Sequence, residues 1–261
     1  MEPIVLYELR PPAAVITINR ADKHNALSRG LIADLHTAFQ RAADDAAARC
    51  VVLTAVGKVF CAGMDLGELA ETLQLKEDEA GVIWDDVKRL CDLFERIYTL
   101  PKPTVAAVNG SAVAGGAGLV TVCDLAVAVP EARFGYPEVR RGLVAAMVMP
   151  HLLRHVGERA ARYMLLTGEL IDATEALRIG TINEVVAAAK LQDRVTALCD
   201  VLAQGGPNAL ASTKALLQRF SHQAVPVEET ARASAEPRLT QECRDGLEAF
   251  FAKKPVPWLR K

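Results

Sequence analysis

Short segments that are almost wholly apolar alternate with segments of helical periodicity in the first half of this chain. Strand-like apolar segments occupy 14–19, 51–56, 104–108 and 125–129. Apolar residues recur at helical spacing in 31–42 and 83–98, and the acidic, polar stretch 68–80 is expected to be a mobile loop or a loose helix. A strand that is apolar on both faces has to be covered on both faces, and helices between strands supply that cover. The sequence therefore predicts an α/β fold.

After about residue 145 the chain becomes mainly helical. One short strand is expected at 182–186, and Gly205-Gly206-Pro207 is the best candidate for a linker. Helices are expected at 158–167, 172–179, 190–204, 208–220, 227–235 and 240–252. We therefore divide the chain into a core, 1–204, and a helical C-terminal region, 205–261. Apolar positions left over on these helices suit oligomerisation, although packing against the same chain would use them equally well.

Charge and cysteine content argue against several classes of protein. The formal net charge is −2 and no basic tract occurs, so a nucleic-acid partner is not expected. The six cysteines form no CxxC pair and no His or Cys lies at zinc-finger spacing, so we expect buried, reduced thiols and no metal site. The N-terminal residues lack the apolar core of a signal peptide, and no segment reaches the roughly 20 apolar residues of a membrane span. These features predict a cytoplasmic protein without a membrane partner.

Three segments carry residues suited to catalysis, namely FCAGMDL at 60–66, NGSAVAGGAG at 109–118 and FGYPE at 134–138. The glycine-rich segment predicts a tight loop that leads into a helix, whose first backbone N–H groups lack an intrahelical acceptor and can bind an anion. It matches neither a P-loop nor a complete GxGxxG motif. Each segment alone is also compatible with close helix–strand packing. A carboxylate, Glu138, beside an anion site is what proton transfer next to a carbonyl requires.

In this order and spacing the three segments resemble the crotonase family, the enoyl-CoA hydratase/isomerase superfamily. The resemblance covers nearly the whole chain, including NAL at 25–27, LLTG at 165–168, ATEAL at 173–177 and FFAKKP at 250–255. It implies a spiral of ββα units followed by a helical C-terminal region that forms trimers. On that basis, 1–204 would be the catalytic core that binds an acyl-CoA thioester. The region 205–261 would be the oligomerisation region of a homotrimer or a dimer of trimers.

The resemblance also implies roles for individual residues. The backbone N–H groups of Met64 and Gly115 would form the oxyanion hole around the thioester oxygen, and Glu138 would be the catalytic acid/base. Backbone that binds CoA is expected at four positions: Ala26, Ala62, Asp65 and Leu66. Because CoA is part of the substrate, no separate cofactor is expected. Arg20 and Lys23 could contact the CoA phosphates or could be ordinary solvated charges of a turn.

The chain departs from well-studied hydratases of this family. Those hydratases have two glutamates that face the substrate, and the first lies three residues after the oxyanion-hole glycine, where this chain has Gly118. Gly118 could make room for a bulkier acyl chain or allow a close helix contact. The glycine-rich stretch that follows the catalytic glutamate in many hydratases is replaced by bulkier, apolar residues at 142–150. His151 could be a supplementary acid/base, or a residue at a helix start or on the surface.

A single carboxylate is compatible with more than one reaction. We expect an enoyl-CoA hydratase-type enzyme in which Glu138 moves protons and the oxyanion hole stabilises an enolate. A Δ3–Δ2 enoyl-CoA double-bond isomerase, which needs one base and no water, is the main alternative. An acyl-CoA-binding protein with little activity, or a thioester hydrolase or decarboxylase, is also open. The segment 137–143 is most similar to hydratases of branched glutaconyl-type thioesters, in which Arg140 or Arg141 could pair with a distal carboxylate or face solvent.

Overall fold

The fold is described from a computed structural model, and the structure describes residues 2–75, 80–221 and 227–254. Two β-sheets lie at the centre of this part of the chain, and helices cover them. In chain order the strands are β1 (Val5–Arg10), β2 (Ala13–Ile18), β3 (Cys50–Ala55), β4 (Val59–Cys61), β5 (Thr104–Val108), β6 (Ser111–Val113), β7 (Leu125–Ala128), β8 (Arg133–Gly135), β9 (Ile171–Asp172) and β10 (Glu184–Val185).

The larger sheet has the order β1-β2-β3-β5-β7-β10, and every neighbouring pair in it is parallel except β1 and β2. Its register places Ile16 opposite Leu53 and Leu53 opposite Ala106. All three side chains are buried, as expected for parallel strands that are covered on both faces. The apolar strands that the sequence predicts therefore form one continuous sheet.

The smaller sheet has the order β4-β6-β8-β9. Its strands β4, β6 and β8 directly follow β3, β5 and β7 along the chain, and they are parallel to one another. Each of these strand pairs is followed by helical structure, which gives a repeated ββα unit. The carboxyl ends of parallel strands meet at one edge of a sheet, where ligands bind in many α/β proteins. This topology places the loops after β4, β6 and β8, which contain the three segments singled out above, side by side.

Helices surround the two sheets. In the described part of the chain the α-helices are α1 (Arg29–Asp44), α2 (Leu66–Glu71), α3 (Ala80–Thr99), α4 (Gly115–Thr121), α5 (Met149–Thr167), α6 (Ala173–Ile179), α7 (Leu191–Gln204), α8 (Pro207–Ser221), α9 (Val227–Ala235) and α10 (Gln241–Phe251). Helix α3 buries Ile83, Val87, Leu90 and Phe94, which recur every three or four residues and so share one face. Within the described ranges, no helix has both the length and the apolar character needed to cross a membrane.

Helices of the C-terminal region pack on the core of their own chain. Ala231 of α9 belongs to a buried cluster with residues of α3, and Leu247 of α10 packs against Leu69 of α2. Helix α8 is tied to the core by Lys214, whose Nζ donates to Asp124 Oδ2 at 2.7 Å. The apolar faces of α9 and α10 are therefore buried within the chain itself. The boundary between 1–204 and 205–261 stays a prediction.

The sequence analysis misses the short strands. It predicts none of β4, β6, β8 and β9, because strands of two or three residues are too short to show a period. It also misses the six-residue strand β1, none of whose residues is fully buried. It also places the start of α5 at 158, whereas the helix begins at Met149 and is interrupted at Gly157, which has φ 69° and ψ 170°. The stretch 68–80 contains most of α2 and a short 3-10 helix, Thr72–Gln74. Residues 76–79, and Pro255 of the FFAKKP motif, lie outside the described residues.

Candidate active site

A cavity of about 630 Å³ lies where the loops after β4, β6 and β8 meet. All residues that the sequence analysis assigns to the site line it: Ala26, Ala62, Met64, Asp65, Leu66, Gly115 and Glu138. Arg20 and Lys23 line it as well. A concave site of this size, with both apolar and charged side chains in its wall, suits the binding of a small molecule.

The backbone amides of Met64 and Gly115 come from two loops in direct contact. A Cβ atom on Gly63 would lie 2.8 Å from Cβ of Ala114 and 3.4 Å from the Gly115 nitrogen, so the loops approach this closely only because residue 63 is glycine. Gly63 also has a φ of +90°, a conformation that side chains disfavour. Neither the Met64 N–H nor the Gly115 N–H donates a hydrogen bond within the described residues. Two adjacent amides are thus available to a bound oxygen atom.

Helix α4 begins at the cavity. Gly115 is its first residue and Ala114 its N-cap, with φ 53° and ψ −126°. Such a conformation costs a residue with a side chain roughly 1–3 kcal/mol. The Ala114 N–H donates to the Gly135 carbonyl at 2.8 Å, which holds the turn and ties the end of β6 to the end of β8. The start of α4, where the Gly115 N–H has no acceptor within the described residues and the helix dipole is positive, therefore lies against the cavity.

Glu138 lies in a short 3-10 helix, Pro137–Arg141, directly after β8. Although the residue is only partly buried, its Oε2 atom is buried and has no hydrogen-bond partner among the described residues. Burial raises the pKa of the carboxyl group from 4.5 to about 7. A backbone hydrogen bond and the positive charges of Arg141 and Arg238 lower this pKa, but burial has the larger effect. A carboxyl group whose pKa lies near neutrality can both take and give a proton at physiological pH.

The turn that precedes α1 is fixed to the segment after β4 by Arg20. Its Nη1 atom donates to Asp65 Oδ2 at 2.6 Å and to the Ala26 carbonyl at 2.9 Å. The other carboxylate oxygen of Asp65 caps α2 by accepting from the Gly67 N–H at 2.9 Å. The side chains of Arg20 and Asp65 therefore have structural partners at the cavity wall, and only backbone of Asp65 is left for a ligand. Lys23 lines the cavity beside them.

Gly118 lies inside α4 and does not line the cavity. A Cβ atom on it would lie 2.6 Å from Cζ of Phe94 and 2.7 Å from Cγ1 of Val148, and both of these side chains are buried. Of the two explanations for this glycine, the structure supports the close helix contact, and the idea that it makes room for a bulkier acyl chain is wrong. A glutamate at position 118 would collide with Phe94 and Val148. Because the chain has glycine there, Glu138 has no second carboxylate beside it of the kind found in well-studied hydratases.

The stretch after Glu138 supplies apolar cavity wall but no second acid/base. Leu143, Val144 and Met147 line the cavity, as the bulky sequence at 142–150 predicts. His151 is buried in α5, where its ring centroid lies 4.7 Å from that of Tyr98, and it does not line the cavity. Burial, helped by neighbouring positive charge, lowers the pKa of His151 to about 3. Its ring stays neutral, and His151 has a packing role.

Two arginines also line the cavity. Arg238, in a 3-10 helix after α9, is 6% exposed, and its Nη2 atom lies 2.9 Å from Sδ of Met64. The guanidinium carbon of Arg141 lies 4.4 Å from the ring centroid of Phe250. The sequence analysis leaves Arg141 open and misses Arg238 entirely. The one available signal is that position 238 continues the helical spacing of the buried positions 231 and 235.

Comparison with known proteins decides the family. A family model described as enoyl-CoA hydratase/isomerase matches residues 11–261. The chain belongs to the enoyl-CoA hydratase/isomerase family. This result confirms the resemblance to the crotonase superfamily and the prediction of an enzyme of the enoyl-CoA hydratase/isomerase family.

Members of the enoyl-CoA hydratase/isomerase family match this chain along nearly its full length. A Thermus thermophilus protein, whose name places it among the enoyl-CoA hydratases, is 42% identical over 244 residues, covering 93% of this chain and 95% of its own. A short-chain-enoyl-CoA hydratase of Clostridium acetobutylicum is 30% identical over 256 residues, covering 97% and 96%. The crystal structure of an enoyl-CoA hydratase from Mycobacterium avium matches with a TM-score of 0.85 at 33% identity, covering 99% of this chain and 100% of that one. The predicted crotonase-like α/β fold is confirmed, and trimerisation stays a prediction.

Proposed function

We propose that this protein is an enoyl-CoA hydratase, which adds water across the double bond of a 2-enoyl-CoA thioester. The proposal depends chiefly on the Glu138 carboxyl group, whose Oε2 is buried without a partner among the described residues and whose pKa is about 7. This group lines the same cavity as the amides of Met64 and Gly115. The hydratase names of the relatives from Thermus thermophilus and Clostridium acetobutylicum support the choice of reaction.

The Met64 and Gly115 amides would act as an oxyanion hole. When water adds to the β-carbon of the thioester, the electron pair of the double bond moves towards the carbonyl oxygen and an enolate forms. Two N–H donors fixed by the contact between Gly63 and Ala114 would stabilise the developing negative charge without reorganising. One such donor typically contributes about 3 kcal/mol to the transition state.

Glu138 would carry out both proton transfers. As a carboxylate it accepts a proton from water while the water oxygen bonds to the β-carbon, and as a carboxylic acid it returns that proton to the α-carbon as the enolate collapses. The net result is the addition of H and OH across the double bond, with Glu138 back in its starting form. A pKa of about 7 suits a group that has to act in both directions near neutral pH. These steps require no cofactor besides the CoA of the substrate.

The substrate's CoA would bind along the turn and the segment after β4. Four positions would contact it mainly through backbone: Ala26, Ala62, Asp65 and Leu66. This assignment fits the structure, because the Asp65 side chain is already engaged by Arg20 and by the start of α2. Lys23, which lines the cavity, would face the phosphate groups of CoA.

We also propose that the protein forms a homotrimer or a dimer of trimers. The proposal is supported by large apolar side chains left on the surface around the end of α5, where Tyr163, Leu166 and Leu170 are 51%, 68% and 47% exposed. Size-exclusion chromatography with light scattering is expected to give the mass of three or six chains. A monomer at micromolar concentration would contradict this proposal.

A comparison of the wild type with Glu138→Gln tests the proposed reaction. The wild type is incubated with a panel of 2-enoyl-CoA thioesters, and the 3-hydroxyacyl-CoA product is measured by mass spectrometry. We expect Glu138→Gln to lose about 10²- to 10⁴-fold in kcat/KM, the usual contribution of general acid–base catalysis. Glu131→Gln, which changes an exposed glutamate outside the cavity, is the matched control. Full activity in Glu138→Gln would disprove the role of this residue.

Double-bond isomerisation is a second candidate, because Phe94 and Val148 occupy the space beside Gly118. A site with one carboxylate and an apolar wall can move a proton between the α- and γ-carbons without using water. A 3-enoyl-CoA substrate separates the two reactions, since isomerisation converts it to the conjugated 2-enoyl-CoA without adding a hydroxyl group. Isomerisation with no hydroxyacyl product from any 2-enoyl-CoA would exclude the hydratase.

A further inference from the structure

The guanidinium groups of Arg141 and Arg238 line the cavity, and neither forms a salt bridge within the described residues. Nη1 of Arg238 and Nε of Arg141 are buried, and neither atom has a hydrogen-bond acceptor among the described residues. An arginine keeps its positive charge in a protein. Arg238 is only 6% exposed, so little water reaches its guanidinium group. A buried charge without a partner is costly. Its presence in the wall of a binding cavity indicates that the ligand supplies an anion.

The carboxylates near Arg238 do not fill this role. Both oxygens of Asp86 already accept from Arg29, at 2.9 Å and 2.7 Å, and one of them also lies 3.4 Å from Nη1 of Arg89. Glu138 forms no hydrogen bond with Arg238 within the described residues, and it has to stay available for proton transfer. Within the described residues, Nη2 of Arg238 lies 2.9 Å from the sulfur of Met64, a weak acceptor that a carboxylate oxygen can replace.

The positions of these arginines indicate which part of a substrate they would meet. Arg141 lies three residues after Glu138, and Arg238 contacts the side chain of Met64, whose backbone amide lies at the proposed oxyanion hole. Both arginines line the cavity together with Glu138, and they lie close enough to it for their charges to lower its pKa. The apolar side chains of Leu143 and Met147 line the same cavity. An acyl chain whose reacting carbons lie beside Glu138 would therefore come close to both positive charges.

We propose that Arg238, with Arg141 beside it, binds a carboxylate at the far end of the acyl chain, so that the preferred substrate is the mono-CoA thioester of an unsaturated dicarboxylic acid. This inference rests on the proposed function. A guanidinium group binds a carboxylate through two parallel, charge-assisted hydrogen bonds. A chain that ends in a methyl group would leave Arg238 buried and unpaired, and sites with unpaired buried polar groups discriminate strongly between such substrates.

The kinetic test compares two thioesters of equal chain length, glutaconyl-CoA with a terminal carboxylate and 2-pentenoyl-CoA with a terminal methyl group. We expect the wild type to favour glutaconyl-CoA in kcat/KM by about 10- to 100-fold, the range of one hydrogen bond to a charged group. In Arg238→Gln this ratio should fall by the same factor, and Arg238→Lys should keep part of it. Arg232→Gln, which changes an exposed arginine of α9 outside the cavity, should leave the ratio unchanged. A wild-type ratio of one or less, or an unchanged ratio in Arg238→Gln, would overturn the inference.

A binding measurement on the wild type covers the case in which Arg238→Gln fails to fold. Isothermal titration with the unreactive, saturated thioesters glutaryl-CoA and pentanoyl-CoA should show at least tenfold tighter binding of glutaryl-CoA. Equal affinities would refute the carboxylate site. The two proposals fail separately, because a protein that hydrates none of the 2-enoyl-CoA thioesters disproves the hydratase while the saturated pair still reports on Arg238.

Discussion

Replacement of Glu138 by glutamine is expected to stabilise the protein increasingly as the pH rises. The folded state holds the pKa of Glu138 at about 7, whereas the group has its ordinary value of 4.5 once it is exposed. Between these values the folded protein binds a proton that the unfolded chain has released. The free energy of unfolding of the wild type therefore decreases as pH rises through this window, and it stays lowered above pH 7. Glutamine does not titrate, so the free energy of unfolding of the variant does not decrease in this way.

The size of the effect follows from the two pKa values. The separation between 4.5 and about 7 corresponds to about 3 kcal/mol well above neutrality, because a tenfold change in an equilibrium constant is about 1.4 kcal/mol. At pH 5 part of this difference is already present, so we expect the advantage of Glu138→Gln to grow by about 2–3 kcal/mol between pH 5 and pH 8.5. Any cost of burying the glutamine amide is the same at both pH values and cancels.

Urea denaturation at pH 5 and pH 8.5, at one fixed protein concentration, measures this change. The quantity of interest is the difference in the free energy of unfolding between Glu138→Gln and the wild type at each pH. Glu131→Gln serves as the control for removing a carboxylate from the exposed surface. If the difference for Glu138→Gln is the same at both pH values, burial does not raise the pKa of this carboxyl group, and the reasoning is refuted.

Three further outcomes are expected. Hydratase kcat/KM should rise with pH and reach half its plateau near pH 7, the pKa of Glu138, because the reaction starts from the carboxylate; a flat profile from pH 5 to pH 9 would contradict this. Gly118→Ala should lower the free energy of unfolding by about 1 kcal/mol, since overpacking outweighs the gain in helix propensity. Gly81→Ala is the matched control: a Cβ there has no neighbour within 4 Å, so this variant should be more stable than the wild type. Lys214→Met should cost about 2 kcal/mol in urea denaturation by leaving Asp124 without its cation, and a loss below about 0.5 kcal/mol would show that this contact is unimportant.

The apolar segments allowed the larger sheet to be predicted well, and the smaller sheet hardly at all. Strands such as β5, in which every residue is buried, show their character in a run of apolar side chains. The three-residue strands β4, β6 and β8 exist because they pair with one another at the edge of the site, and so few residues have no period of their own. The six-residue strand β1 is missed for another reason: none of its residues is fully buried, so no run of apolar side chains marks it, and its pairing with β2 is a tertiary contact.

The sequence by itself determined the three segments that line the cavity, the single glutamate among them and the family, because these depend on residue types at fixed spacing. Only the tertiary structure decided the environment of those residues. The pKa of Glu138 depends on burial by distant parts of the chain, the reason for Gly118 is its contact with Phe94 and Val148, and Arg238 reaches the side chain of Met64 across 174 positions of sequence. Burial and charge are sums over neighbours in space, and local spacing in a sequence does not say which distant neighbours those are.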